Sequence, residues 1–452
     1  MIAPARLAAY EVVLAVGAGR SDLPTALARA RTTLRDERDR ALAGEIATGT
    51  LRWQGAIDYL IASFSGRALA RLDKEIVAIL RLSAFQLLHL DRVPASAVVD
   101  DAVQMTKKAG KKSASGLVNA LLRRLSRERD RLPWPSEPPI DFVSTTLSHP
   151  RWLAERWLAR YGRDATVAWA QFDNAAAPLT LRVNTLKTPR DVLARALAEH
   201  GVETRPTTFA EHGLVVTSGN PLLTPLAHSG AFVVQDEASQ LVALLANAQP
   251  GWRVLDACAS PGGKTTAMAA AMNGEGFLVA SDLRDRRVQL LRKTVAASGA
   301  RNVAIVQADL RRPLPFTVPF DLVVVDAPCS GLGTLRRDPD IRWRRHERDL
   351  PALAAAELTM LQHAADAVAP GGRLVYATCS SEPDENDGVA DAFLTTMPAF
   401  ARLDARQASP GLPPSVVDDR GCLRTEPHRH GLEAFFGVVF VRRLESQLSA
   451  QL

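Results

Sequence analysis

Residues 251–282 read "GWRVLDACASPGGKTTAMAAAMNGEGFLVASD". A short apolar run, "WRVLDA", gives way to a loop of small residues and then to "GKTTAMAAAM", which is rich in helix formers. Glycines follow, and then a second apolar run, "FLVASD". Short apolar runs bounded by glycine read as buried strands, and the stretch between them as a helix. The rhythm continues in "VAIVQAD" (303–309), "FDLVVVDAP" (320–328) and "GGRLVYATC" (371–379), with helical segments at 284–299 and 350–370. Such alternation specifies an α/β domain, a Rossmann-like parallel sheet with helices on both faces. The late run "AFFGVVFVRRL" (434–444) has no helix after it and suits a strand inserted near the sheet edge.

Upstream the chain changes character, and its 452 residues exceed one ordinary core. Residues 1–131 read as an all-α domain, with helical periodicity in "RLAAYEVVLAVGAG" (6–19), "KEIVAILRLSAFQLLHL" (74–90) and "SASGLVNALLRRLSRERDRL" (113–132). The proline-rich "LPWPSEPPI" (132–140) opens a linker over 132–146. A small α+β subdomain is expected over 147–250, the α/β domain over 251–445 and a tail over 446–452. The net charge of +6 is uneven: residues 1–135 contribute +8 and the remainder −2. A basic domain beside a near-neutral one points to a polyanionic partner, usually nucleic acid; the plain alternative is a solvated helical surface.

The four cysteines, Cys258, Cys329, Cys379 and Cys422, form neither a CxxC pair nor a dense framework, so reduced thiols and no metal are expected. Arg6, Glu11 and Arg20 interrupt the apolar N-terminus, and no uncharged apolar stretch of about 18 residues occurs. A cytoplasmic monomer without a membrane partner is the expectation.

In open α/β sheets the ligand lies at the carboxyl ends of the strands. Here those ends carry Asp256, Asp282, Asp309 and Asp326. After Asp256 the loop Cys258, Ala259, Ser260, Pro261, Gly262, Gly263, Lys264 lets the backbone approach a ligand closely. It is no P-loop, because Cys258 stands where that pattern needs glycine and Pro261 lacks an N–H. Successive acids suit a ligand with ribose hydroxyls and a cationic centre, such as S-adenosyl-L-methionine (AdoMet). Asp282 is placed for the ribose hydroxyls and Asp309 for the adenine amino group. Helix capping explains any one of these acids but not three together.

Two strands end in a cysteine followed by serine: "LVVVDAPCSGLG" (322–333) and "LVYATCSSEPDEN" (374–386). Together with "DACASPGGKTT" (256–266), these motifs resemble those of the RNA (cytosine-5) methyltransferases of the Fmu/Sun type. With a helical domain that resembles the NusB fold, the likeness is greatest to the 16S ribosomal RNA methyltransferase B (RsmB) branch, and it covers nearly the whole chain. The resemblance implies a NusB-like domain that binds RNA, a middle RNA-binding subdomain and a Rossmann-like class I AdoMet-dependent methyltransferase domain. It implies methylation of cytosine C5 in 16S ribosomal RNA, with Cys379 as nucleophile, Cys329 assisting breakdown of the adduct and Asp326 contacting the cytosine near N3. Cys329 is the rival nucleophile, since DNA cytosine methyltransferases use a Pro-Cys motif. Six arginines and Trp343 in "TLRRDPDIRWRRHER" (334–348) read as an RNA-facing surface, through Arg336, Arg337, Arg342 and Trp343. Arg182 and Asn184 in "LRVN" are further RNA-contact candidates. The competing readings are another RNA target, such as tRNA or 23S ribosomal RNA, and a non-catalytic assembly factor that binds RNA. A retired enzyme need not keep both thiols and all four acids.

Overall fold

A computed structural model of the chain describes residues 2–444, so the expected tail at 446–452 and residue 445 lie outside the described residues. The chain divides into two units. One holds the described residues up to Ala176 together with Leu335–Glu347; the other holds Ala177–Thr334 and the chain from Arg348 onward.

The first unit is helical. Pro4–Gly17, Glu37–Arg52, Lys74–His89, Ala95–Lys108 and Ser115–Arg127 pack around a core that includes Val12, Ile46, Ile79, Val98 and Leu122. Lys74–His89 is apolar on nearly every side, "KEIVAILRLSAFQLLH", and accordingly it is the buried helix of the group. Arg6 is buried, paired with Asp101 at 2.6 Å and bonded to Gln86 at 2.7 Å. Helix Arg151–Asn174, kinked at Gly162, groups with this unit, although the sequence boundary at 147 assigns it to the middle subdomain.

In the segment 335–347, expected to face RNA, Arg344 and His346 are exposed, while Arg342 and Trp343 are held against the helices. Arg342 is fully buried, and its Nη1 donates to the carbonyls of Arg52 (3.2 Å) and Ser148 (2.9 Å) and to Asn174 Oδ1 (3.0 Å). The helices Glu37–Arg52 and Arg151–Asn174 end there, where last-turn carbonyls lack intrahelical partners, and one guanidinium gathers them. Burial lowers the Arg342 pKa to about 10, which leaves it cationic at neutral pH. Trp343 donates from Nε1 to the Leu51 carbonyl at 2.6 Å and packs on Gly55, where an added Cβ would come within 2.7 Å of its ring. Arg336 stacks 4.3 Å from the Phe172 ring centre and donates to the Ala176 carbonyl at 2.6 Å, while Arg337 is half-buried. Arg336 and Arg342 thus spend guanidinium groups on main-chain carbonyls.

The second unit begins with a four-stranded antiparallel sheet: β1 (Thr180–Val183), β2 (Glu203–Pro206), β3 (Gly213–Ser218) and β4 (Phe232–Val234), in the order β2-β3-β1-β4. The large sheet follows, with β5 (Arg253–Asp256), β6 (Phe277–Asp282), β7 (Val303–Gln307), β8 (Phe320–Asp326), β9 (Val368–Thr378), β10 (Phe400–Leu403), β11 (Leu423–Thr425) and β12 (Phe435–Arg442). Its order is β7-β6-β5-β8-β9-β12-β10, with β11 paired to β12. β5 to β9 run parallel and β12 is antiparallel between β9 and β10, so the late apolar run sits one strand in from the edge. Alternate residues feed two cores. Val254 and Val324 pack with Met268 and Leu291 of helices Gly263–Ala271 and Asp285–Ser298. Leu255 and Val323 pack with Leu361 and Phe393 of helices Leu350–Asp366 and Asp387–Thr396. Strand order reverses between β5 and β8, which sets the ligand crevice at their carboxyl ends.

Candidate active site

β8 and β9 are parallel neighbours, with Val325 opposite Tyr376 and Asp326 opposite Ala377. Both therefore run out at the same height, and the residues that follow leave the sheet side by side. Cys329 Sγ and Cys379 Sγ lie 3.4 Å apart, a hydrogen-bond separation between free thiols. The main chain fixes the pair: Gly333 N–H donates to the Cys379 carbonyl at 2.9 Å, and Ala434 N–H to the Gly333 carbonyl at 2.9 Å. Only glycine serves at 333, because a Cβ there would come within 2.0 Å of the Ala434 oxygen. The hydrogen bond to Cys379, with burial behind it, raises the Cys329 pKa well above the usual thiol range. Cys329 thus keeps its proton at neutral pH.

The serine after each cysteine has a shared purpose. The buried Glu385 carboxylate accepts from the Ser330 main-chain N–H (2.6 Å), the Ser330 hydroxyl (2.6 Å) and the Ser380 hydroxyl. One carboxylate therefore clamps both cysteine loops. Asn386 extends the clamp, donating to the Ser380 carbonyl at 3.0 Å and accepting from Thr378 Oγ1 at 2.5 Å. Sequence reasoning gave the acids after Cys379 no such role. The signal lay in the repeated Cys-Ser, where two serines at matched strand ends share one acceptor.

Behind the clamp, the Tyr376 hydroxyl bridges Glu357 Oε2 (3.0 Å) and the Glu385 carbonyl (2.6 Å). Burial, and then Glu385 nearby, raise the Glu357 pKa from 4.5 to about 10, so it is protonated at neutral pH. The folded state then binds more protons than the unfolded chain between pH 4.5 and about 10, and stability falls as pH rises through that window. Glu357→Gln is expected to remove this slope and to add roughly 3 kcal/mol at neutral pH. Its urea midpoint should exceed that of the wild type at pH 8 and converge with it near pH 4.5.

Lys264, second residue of helix Gly263–Ala271, donates to Asp326 Oδ2 at 2.6 Å and to Ser239 Oγ at 3.2 Å. Burial opposes its charge, but Asp326 outweighs burial and the ammonium is held above its usual pKa. The loop before that helix closes on Asp256, which accepts from the Thr265 hydroxyl at 2.6 Å; its other oxygen is buried without a hydrogen-bond partner. Burial raises Asp256 to about 6. Asp282 accepts from the Ser260 N–H at 3.3 Å, and Gly262 turns the chain at a φ of 104°. A cavity of about 300 Å³ lies against this loop, lined by Cys258, Asp282, Leu283, Asp309, Leu310 and Met360. These residues fit a nucleoside: Asp282 at the end of β6 for a ribose diol, and Leu283, Leu310 and Met360 for a flat base. Asp309 enters the cavity wall forked by Arg311 at 2.9 and 3.0 Å, which holds its carboxyl below the usual range. Burial pushes the Cys258 thiol up, which suits a packing residue. Cys422 is likewise buried.

Asn184 is buried, donating to the Gly230 and Ser298 carbonyls at 2.8 Å each, so it joins the small sheet to helix Asp285–Ser298. Arg182 is also buried, with Nε on Gln235 Oε1 (2.8 Å) and Nη2 on Thr266 Oγ1 (2.7 Å). Among the described residues, no group of three or more His, Cys, Asp or Glu is arranged to hold a metal ion, and no helix is long and apolar enough to cross a membrane.

Three family models match successive parts of the chain: the NusB family over 3–127, the RsmF/B-like ferredoxin-like domain over 149–222, and the 16S rRNA methyltransferase RsmB/F over 243–441. Ribosomal RNA small subunit methyltransferase B of Pseudomonas putida is 36% identical over 402 residues, 88% of this chain and 91% of that protein. The chain belongs to the RsmB/F family. A probable ribosomal RNA small subunit methyltransferase B of Bacillus subtilis is 32% identical over 403 residues, 88% of this chain and 90% of that one. The crystal structure of PH0851 superposes with a TM-score of 0.81 at 25% identity, covering 97% of this chain and 99% of the other. The region matched by the RsmB/F model takes in both cysteine loops, the loop from Asp256 to Lys264, and Glu385.

Proposed function

We propose that this RsmB/F member transfers a methyl group from AdoMet to C5 of a cytosine in 16S ribosomal RNA, through a covalent bond between Cys379 and C6. The observation that carries this reading is geometric: two free thiols 3.4 Å apart, delivered by the adjacent parallel strands β8 and β9 to the sheet's ligand edge.

Bound in the cavity beside Asp282, AdoMet supplies an electrophilic methyl group. Cytosine C5 is too weak a nucleophile to take it unaided. Addition of the Cys379 thiolate to C6 pushes the ring electrons onto C5 and makes it enamine-like. Asp326 meets the ring near N3, and Lys264, whose Nζ lies 2.6 Å from Asp326 Oδ2, compensates the carboxylate. After transfer, C5 carries both a hydrogen and a methyl group. A base must remove that proton so that the C5–H pair rebuilds the C5–C6 double bond and the C6–S bond breaks. The hydrogen bond to Cys379 is the largest cause of the raised Cys329 pKa, ahead of burial. Once the Cys379 sulfur is bonded to carbon that bond weakens and the Cys329 pKa falls; with its own proton released to solvent, the Cys329 thiolate serves as that base. Drawing a base out of a stack costs a few kcal/mol, which favours a cytosine in a hairpin loop.

The test is incubation with methyl-tritiated AdoMet and unmodified 16S RNA, 23S RNA and tRNA in parallel. Label in 16S RNA is expected. Label confined to 23S RNA or tRNA would reassign the substrate, and no label in any of them would overturn the proposal.

A further inference from the structure

A second cavity, of about 320 Å³, opens between β1, β4 and helix Asp285–Ser298. The cations Arg182 and Lys293, the imidazole of His228 and the hydroxyls of Thr266, Thr294 and Ser298 line it, and no carboxylate does. Arg182 is only 5% exposed, and burial lowers its pKa to about 10, so it is a buried cation at neutral pH. Its Nε and Nη2 are taken by Gln235 and Thr266, while Nη1 makes no hydrogen bond and no Asp or Glu pairs with the group. Lys293 and His228 likewise make no hydrogen bond or ion pair with the described residues. Lys187 adds positive charge at the rim, with its Nζ on the Ser229 and Ala297 carbonyls at 2.6 and 2.8 Å. A charge taken out of water without an opposite charge is costly, and a protein that keeps one usually provides for an anion.

We propose that this cavity holds a backbone phosphate of the RNA substrate, with Arg182 Nη1 and Lys293 Nζ as its donors. The inference rests on the reading of RNA as substrate. Gln235, which accepts from Arg182, donates to Ser239 Oγ at 3.2 Å, and Ser239 Oγ also accepts from Lys264, so side-chain hydrogen bonds connect the site to the Lys264–Asp326 pair. Arg182 thus acts on RNA from inside a cavity and not from an exposed surface.

The experiment measures binding of the full chain to unmodified 16S RNA across a salt series. For Lys293→Ala and Arg182→Gln, affinity is expected to fall about three- to tenfold, and the slope of log K against log salt to lessen by about 0.7. AdoMet affinity should be unchanged, and Arg182→Lys should recover most of the slope, which a purely structural bond to Gln235 and Thr266 would not allow. Should Arg182→Gln fail to fold, the exposed Lys293 carries the same readout. Folded variants with wild-type affinity and slope would overturn the site. Inorganic phosphate that raises the wild-type Tm but not that of Arg182→Gln, with RNA binding unaltered, would make it a small-anion site and also overturn the proposal. A wild-type chain that binds no RNA would contradict the substrate reading itself, and this site with it.

Discussion

Cys329→Ala is expected to leave the protein covalently joined to its RNA, as a slower band that survives denaturing electrophoresis. Cys379→Ala should give neither adduct nor methylated product. The two thiols are equivalent in composition and nearly so in setting, each ending a strand and preceding a serine. What separates them is position: Cys379 stands at the end of β9 and is the thiol proposed to add to C6, while Cys329, 3.4 Å away, is held protonated by the hydrogen bond between them and by burial. Without Cys329 the addition and the methyl transfer still proceed, but the C5 proton has no base at hand. Turnover should then fall by about 10²- to 10⁴-fold, the usual contribution of a positioned base. With Cys379 removed, no sulfur remains at the end of β9 to add to C6, and adduct should be absent. Adduct in Cys379→Ala would reverse the assignment and restore the Pro-Cys thiol as nucleophile.

Glu385→Ala should have the next largest effect although Glu385 touches neither thiol. It accepts from the Ser330 N–H, the Ser330 hydroxyl and the Ser380 hydroxyl, and so sets the distance between loops that also meet at the Ser330 and Ser380 hydroxyls, 3.1 Å apart, and at the sulfurs. Its removal strands buried donors and lets the loops drift, and a displacement near 1 Å at reacting groups costs about 10²-fold. The loss should appear in kcat, with RNA affinity little changed. Glu385→Gln, which keeps the shape and one good acceptor, should lose less. A Cys329→Ala, Glu385→Ala double variant should form adduct more slowly than Cys329→Ala alone, which ties the effect to the addition step. Equal rates of adduct formation would show that the clamp holds the fold and not the chemistry.

The order of strands and helices from 251 onward was legible because each buried strand is a short apolar run closed by glycine or acid, and each helix between them has its own period. The convergence of Cys329 and Cys379 was legible from the matching strand ends, and the parallel register of β8 and β9 accounts for it. Burial of polar groups was not legible. Arg342 and Asn184 read as surface residues, yet each is spent on carbonyl groups left by helix ends and turns, partners that come from distant parts of the sequence. Glu385 and Glu357 went unassigned for the same reason: a carboxylate becomes a clamp or a neutral acid only through what the fold places around it.

The central claim is chemical, that methyl replaces hydrogen at cytosine C5 after attack on C6. It is tested most directly with 16S RNA transcribed from [5-³H]cytidine triphosphate and incubated with unlabelled AdoMet and with carbon-14 methyl-labelled AdoMet in parallel. One tritium released to water for each methyl group incorporated is the predicted result. Methyl incorporation without tritium release would contradict it.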